Sequence, residues 1–104
     1  MKTIIHKIKL KDVADVAKFK DWVENKDYVA CQQLPSVKRF SVHHVSSDSN
    51  AEYHFFEVIR ITDMAAFEAD MATDVFASLV SAFDQMAEVV EEMTGEKIGN
   101  GYVE

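Results

Sequence analysis

Residues 37–61 read VKRFSVHHVSSDSNAEYHFFEVIRI, and this stretch decides the fold. Residues 37–46 and 52–61 are rich in β-branched and aromatic side chains, which favour strands. The SSDSNA between them is the strongest turn signal in the chain. Two strands joined by a polar turn of this length form an antiparallel hairpin. Apolar residues fall on both of its faces: Phe40 and Val42 alternate with Val37 and Val45, and Phe55, Ile59 and Ile61 alternate with Phe56 and Val58. A sheet that is apolar on both sides needs a layer on each.

Ahead of the hairpin, residues 3–10 alternate, with Ile4, His6, Ile8 and Leu10 on one face and Thr3, Ile5, Lys7 and Lys9 on the other, which predicts a strand. Asp12 is placed to cap a helix over residues 13–25, whose apolar stripe runs through Val13, Val16, Phe19, Trp22 and Val23. Asn25-Lys26-Asp27 reads as a break, followed by a second short helical stretch from Tyr28 to Leu34 that ends before Pro35. Beyond the hairpin, Thr62 or Asp63 caps a helix carrying Met64, Phe67 and Met71, and Thr73-Asp74 starts another. Phe76, Leu79, Phe83, Met86, Val90 and Met93 keep helical spacing, so one long helix is expected up to Gly95. Lys97-Ile98 and Tyr102-Val103 supply a short last strand. The order is β-α-β-β-α-β, the ferredoxin-like α+β plan, with helices on one face of a four-stranded antiparallel sheet and the first and third strands adjacent and parallel. The natural cover for the other face is the same sheet of a second copy, a homodimer.

The chain has 104 residues with no repeat or linker, which is one domain over residues 1–104. Lys and Arg total 11 against 18 Asp and Glu, a net charge of −7, and so acidic a surface argues against nucleic acid as a partner. No apolar run exceeds four residues, which argues against a membrane span, and MKTIIHKIKLKD lacks the apolar core of a signal peptide. The single cysteine, Cys31, makes neither an internal disulfide nor a metal motif by spacing, so a cytoplasmic protein is expected.

The four histidines carry the chemistry. His6, His43, His44 and His54 all fall in predicted strands. Adjacent first and third strands make His6 and His54 neighbours. Pairing Val45 with Glu52 sets His43 opposite His54, and a slip of one puts His44 there instead. Two or three imidazoles then meet on one face, where they suit proton transfer near neutral pH. Glu57 is placed to orient a histidine tautomer and Arg39 to hold an enolate or carboxylate. Phe40, Phe55, Phe56, Tyr53 and Trp22 line a pocket for a flat aromatic ligand, with Tyr28 as a hydrogen-bond donor. A three-histidine metal site lacks the required clustering, and no glycine-rich phosphate loop or serine elbow occurs, so no metal or cofactor is called for. Cys31 reads as a small buried hydrophobe, and Asp12/Asp15 and Glu91/Glu92 as solvated helix faces.

TIIHKIKLKD and EYHFFEV resemble the first- and third-strand motifs of the dimeric α+β barrel superfamily. That resemblance implies that His6 faces a cavity and works with a second histidine at the start of the last long helix. Here that position falls in MATDVF, which has no histidine, so Asp74 is the implied substitute base. Over nearly its whole length, and in IIHKIKL and YHFFEVIRITD, the chain resembles the RedY-like family of HapK-type proteins. This implies a role in prodigiosin-type pigment biosynthesis. A small heteroaromatic intermediate, pyrrole- or indole-like, would undergo cofactor-free cyclisation or dehydration, with His6, His54, His43 and Asp74 as acid–base groups. The alternatives are a carrier for the intermediate and a cofactor-free oxygenase.

Overall fold

The computed structural model describes residues 1–103. Its strands are β1 (Lys2–Leu10), β2 (Val37–His44), β3 (Phe55–Ile61) and β4 (Ala87–Glu96), in one antiparallel sheet of order β2-β3-β1-β4. Helices α1 (Val16–Trp22), α2 (Tyr28–Cys31), α3 (Met64–Met71) and α4 (Asp74–Met86) cover one face. This is the ferredoxin-like plan that the hairpin anticipates. The first and third strands are adjacent as expected, but antiparallel rather than parallel, because the helix after β1 carries the chain past β3 before β2 is laid down.

The start signals act where the sequence puts them. Asp12 accepts from the Ala14 N–H, Asp63 from Ala66 and Thr73 from Phe76. Asn25-Lys26-Asp27 does not break its helix. One wide turn, Val23–Asp27, joins α1 to α2, with the Tyr28 N–H bonded to the Val23 carbonyl five residues back.

The long last helix is corrected. It ends at Met86, and residues that keep helical spacing on paper, Val90 and Met93 among them, form β4. The expected last strand at Lys97-Ile98 and Tyr102-Val103 lies outside the sheet, and those side chains are exposed. A bulge explains the misreading. Lys7 faces Glu91 and Ile8 faces Val89, so Val90 is an extra residue that destroys the two-residue alternation of a strand. Lysines opposite its glutamates (Lys2 to Glu96 at 3.1 Å, Lys7 to Glu91 at 2.7 Å) suit this acidic segment to pairing with β1.

The core has two parts. Ile8, Leu10, Phe19, Val23, Phe55, Met86 and Ala87 pack at one end of the sheet's helical face, and Ile4, Ile59, Ile61 and Phe67 at the other. On β1 the residue between Ile4 and Ile8 on this face is His6.

Candidate functional site

A gap between the two core clusters is where a polar residue on β1 does not have to displace packing. A cavity of about 300 Å³ occupies it, between the sheet and the helices. Its walls are apolar and aromatic: Trp22, Phe40, Phe67, Phe76 and Phe83, with Met64 and Met71. Its floor is polar. His6 sits on a central strand, so residues in register on both neighbours reach it: Glu57 on β3 and Glu92 on β4. The His6 Nδ1 lies 2.6 Å from Glu57 Oε1 and its Nε2 lies 2.8 Å from Glu92 Oε2. The bulge at Val90 lets Val89 and Glu92, three residues apart, both line the cavity.

Burial of His6 acts to lower its pKa, but the hydrogen bonds and charges of Glu57 and then Glu92 outweigh it and raise the pKa above 6.5. The imidazolium form donates through both nitrogens. Glu57 is well shielded (14% side-chain exposure) and Glu92 is not (61%), so the Nδ1 partner is fixed while the Nε2 partner faces solvent and can be exchanged for a ligand.

Asp27, at the end of the wide turn, also lines the cavity and is only 8% exposed. Among the described residues its carboxyl meets one hydrogen-bond donor, the Cys31 thiol, 3.6 Å from Oδ1. Burial, and then the nearby Glu57 charge, push Asp27 up to about 7. Burial, and then Asp27, push Cys31 up to about 12, so this thiol is no nucleophile near neutral pH.

The histidines do not converge. The hairpin register is shifted by two from the expected one: His43 faces Phe56 and Val42 faces Glu57. His43 stacks on Phe56 at 4.7 Å on the face away from the helices, and His44 stacks on Phe55 at 4.8 Å at the end of β2. His54 precedes β3 and is 1% exposed. Its Nδ1 accepts the Leu10 N–H at 3.0 Å, so its Nε2 carries the proton, which it gives to the Asp48 carbonyl at 2.9 Å. Both ring nitrogens are thus spent on tying the hairpin turn to β1.

Of the other expected residues, Trp22, Phe40 and Glu57 line the cavity. Asp74 is exposed in the first turn of α4, outside the cavity lining, and Thr73 is the cap. Arg39 is exposed opposite Arg60, and Phe56 lies on the open face, because alternate strand residues point to opposite sides. The Tyr28 hydroxyl accepts the Val42 N–H at 2.8 Å, covering the free edge of β2 instead of reaching the cavity. Three acidic cavity residues escaped the sequence reading: Asp27, Asp84 and Glu92. Glu92 was hidden by the helical reading of β4. Asp27 had a signal: it continues the buried stripe Phe19, Val23 at steps of four, an unusual place for a carboxylate.

The family model of REDY-like protein HapK matches residues 2–98. The chain belongs to the REDY-like HapK family. Among solved structures this REDY-like chain is similar to HapK from Hahella chejuensis, at 60% identity and a TM-score of 0.97, over 100% of this chain and 99% of that one. It is also similar to SnoaB, a cofactor-independent oxygenase from Streptomyces nogalater, at 14% identity and a TM-score of 0.72, covering 95% and 94%. A ferredoxin-like dabb family protein from Mesorhizobium loti matches at 17% identity and a TM-score of 0.68, covering 95% and 100%. At such identities the last two show a shared fold alone. No curated protein sequence matches. No helix of the described residues is long and apolar enough to cross a membrane.

Proposed function

We propose that this protein serves secondary-metabolite biosynthesis of the prodigiosin type. It acts as a cytoplasmic homodimer that binds a pyrrole- or indole-like intermediate between sheet and helices and drives its cyclisation or dehydration by cofactor-free acid–base chemistry. The observation that carries this reading is the Glu57–His6–Glu92 array on the floor of an aromatic-walled cavity. The volume suits a flat molecule of two or three rings. A ligand atom that replaces Glu92 at Nε2 meets a proton donor whose ring is held by Glu57. Protonation of a hydroxyl by that N–H lets it leave as water, and the neutral imidazole left behind takes a ring proton, which restores aromaticity and resets His6. The apolar walls keep bulk water from the reactive cation in between.

Neither the array nor the cavity involves His54, His43 or Asp74, so the proposed chemistry is assigned to His6 with Glu57. The test is turnover of a pathway intermediate by His6→Gln and His54→Gln. We expect His6→Gln to lower kcat by about 100-fold or more with the fold intact. His54→Gln should cost about 2 kcal/mol of stability, through the Leu10 N–H it leaves poorly paired, with turnover per folded molecule retained. Full product formation by folded His6→Gln rejects the catalyst and leaves a carrier.

A further inference from the structure

The cavity has a charge character that its shape does not require. Its ionisable lining consists of His6, Asp27, Cys31, Glu57, Asp84 and Glu92, with no lysine or arginine, in a chain that has 11 of these. Both N–H groups of His6 are already given to Glu57 and Glu92. An anionic ligand would therefore have to displace Glu92 to reach the one cation, His6, and would do so in an apolar space among four carboxyl groups. In such surroundings an unmatched charge is penalised far more than in water. Asp27 points the same way. It is more than nine-tenths buried, its Oδ1 has only a thiol at 3.6 Å, and its Oδ2 has no partner among the described residues. No buried side-chain oxygen or nitrogen of the described residues lacks a partner, so this Oδ2 opens to the cavity, where it can accept from a ligand N–H. The walls agree, since Trp22, Phe40, Phe76 and Phe83 line the cavity and aromatic rings attract cations at their faces.

We infer that the cavity selects a flat nitrogen heterocycle that carries a fixed positive charge, and that Asp27 and Glu57 are its recognition groups. The ligand's N–H or ring cation lies between the Asp27 and Glu57 carboxyls, and its ring lies against the aromatic wall. Carboxylated and phenolate ligands of the same shape are rejected. The inference rests on the cavity being the ligand site, but not on any catalysis there.

Three bicyclic probes of similar size separate these points near neutral pH: the cation 1-methylquinolinium, neutral quinoline and the anion 2-naphthoate. Trp22 is the chain's one tryptophan and lines the cavity, so its indole N–H resonance reports occupancy. We expect the cation to bind about tenfold or more tighter than the anion, with quinoline between. Asp27→Asn and Glu57→Gln should each weaken the cation about threefold or more while changing quinoline less than about twofold, which also shows that the variants fold. Naphthoate binding as tightly as the cation, or both variants leaving the cation unaffected, overturns the inference while the cavity remains a ligand site. If no probe moves the Trp22 resonance, the cavity reading itself falls. Should a variant not fold, the cation-to-anion ratio of the native chain decides alone.

Discussion

His6 lies on β1 and His54 just ahead of the neighbouring β3, yet only His6 has a nitrogen whose partner is exposed. His54 has exchanged reactivity for two structural hydrogen bonds, whereas His6 keeps an exposed partner at Nε2. The folded state therefore favours a protonated His6, whose contribution is complete below its ordinary 6.5 and is lost as the pH rises through the raised value. Asp27 acts with the same sign. Raised from 3.8 to about 7, it favours folding fully below 3.8 and loses that contribution as the pH rises through about 7. The charges facing these two groups are Glu57 on β3, Glu92 on β4 and Asp84 at the end of α4, with Cys31 uncharged beside them. Urea unfolding should show stability falling as the pH rises from about 4 through about 7. Asp27→Asn should gain about 2–4 kcal/mol more at the upper end than at the lower, as expected for a shift of roughly three units. A variant whose pH dependence matches that of the native chain would refute the buried, proton-retaining Asp27.

Two irregular elements place the polar floor. The wide turn Val23–Asp27 supplies one residue more than a regular helix would, and the bulge in β4 brings Val89 and Glu92 to the same side. Both were illegible for the same reason: a sequence period is a statement about regular repeats, and one inserted residue breaks it. The regular elements β1, α1 and the hairpin were legible from their periods and caps. Asn25 lies inside the wide turn and bonds outward to Asp21, so it contributes no packing to the cavity. Its deletion should relax the turn to a regular helix and rotate Asp27 away by about 100°, one residue's step. We expect the circular-dichroism helix signal and cooperative unfolding to survive while 1-methylquinolinium binding drops to the level of Asp27→Asn. Retained binding would show that the wide turn is not what positions this carboxyl.

On the scale of the whole molecule, the face of the sheet away from the helices carries Ile5, Phe56, Val58 and Met93, of which Met93 is 48% exposed. Ile5, Val58 and Met93 lie side by side across three strands, an apolar strip that the proposed homodimer would cover. Val58→Asp should convert a dimer to a monomer in sedimentation; a native chain that is already monomeric at micromolar concentration rejects the assembly. The α+β class, the element order as far as α4, the helix starts, and His6 and Glu57 as separate candidates were readable from the amino-acid sequence, because alternation, helical spacing and capping are local and survive without tertiary contacts. Only the tertiary structure decided which histidine stays free, where the last strand lies, and that Asp27 and Glu92 join His6. Those outcomes depend on register and on single inserted residues, and a shift of one position moves a side chain to the opposite face at no cost visible in the local pattern.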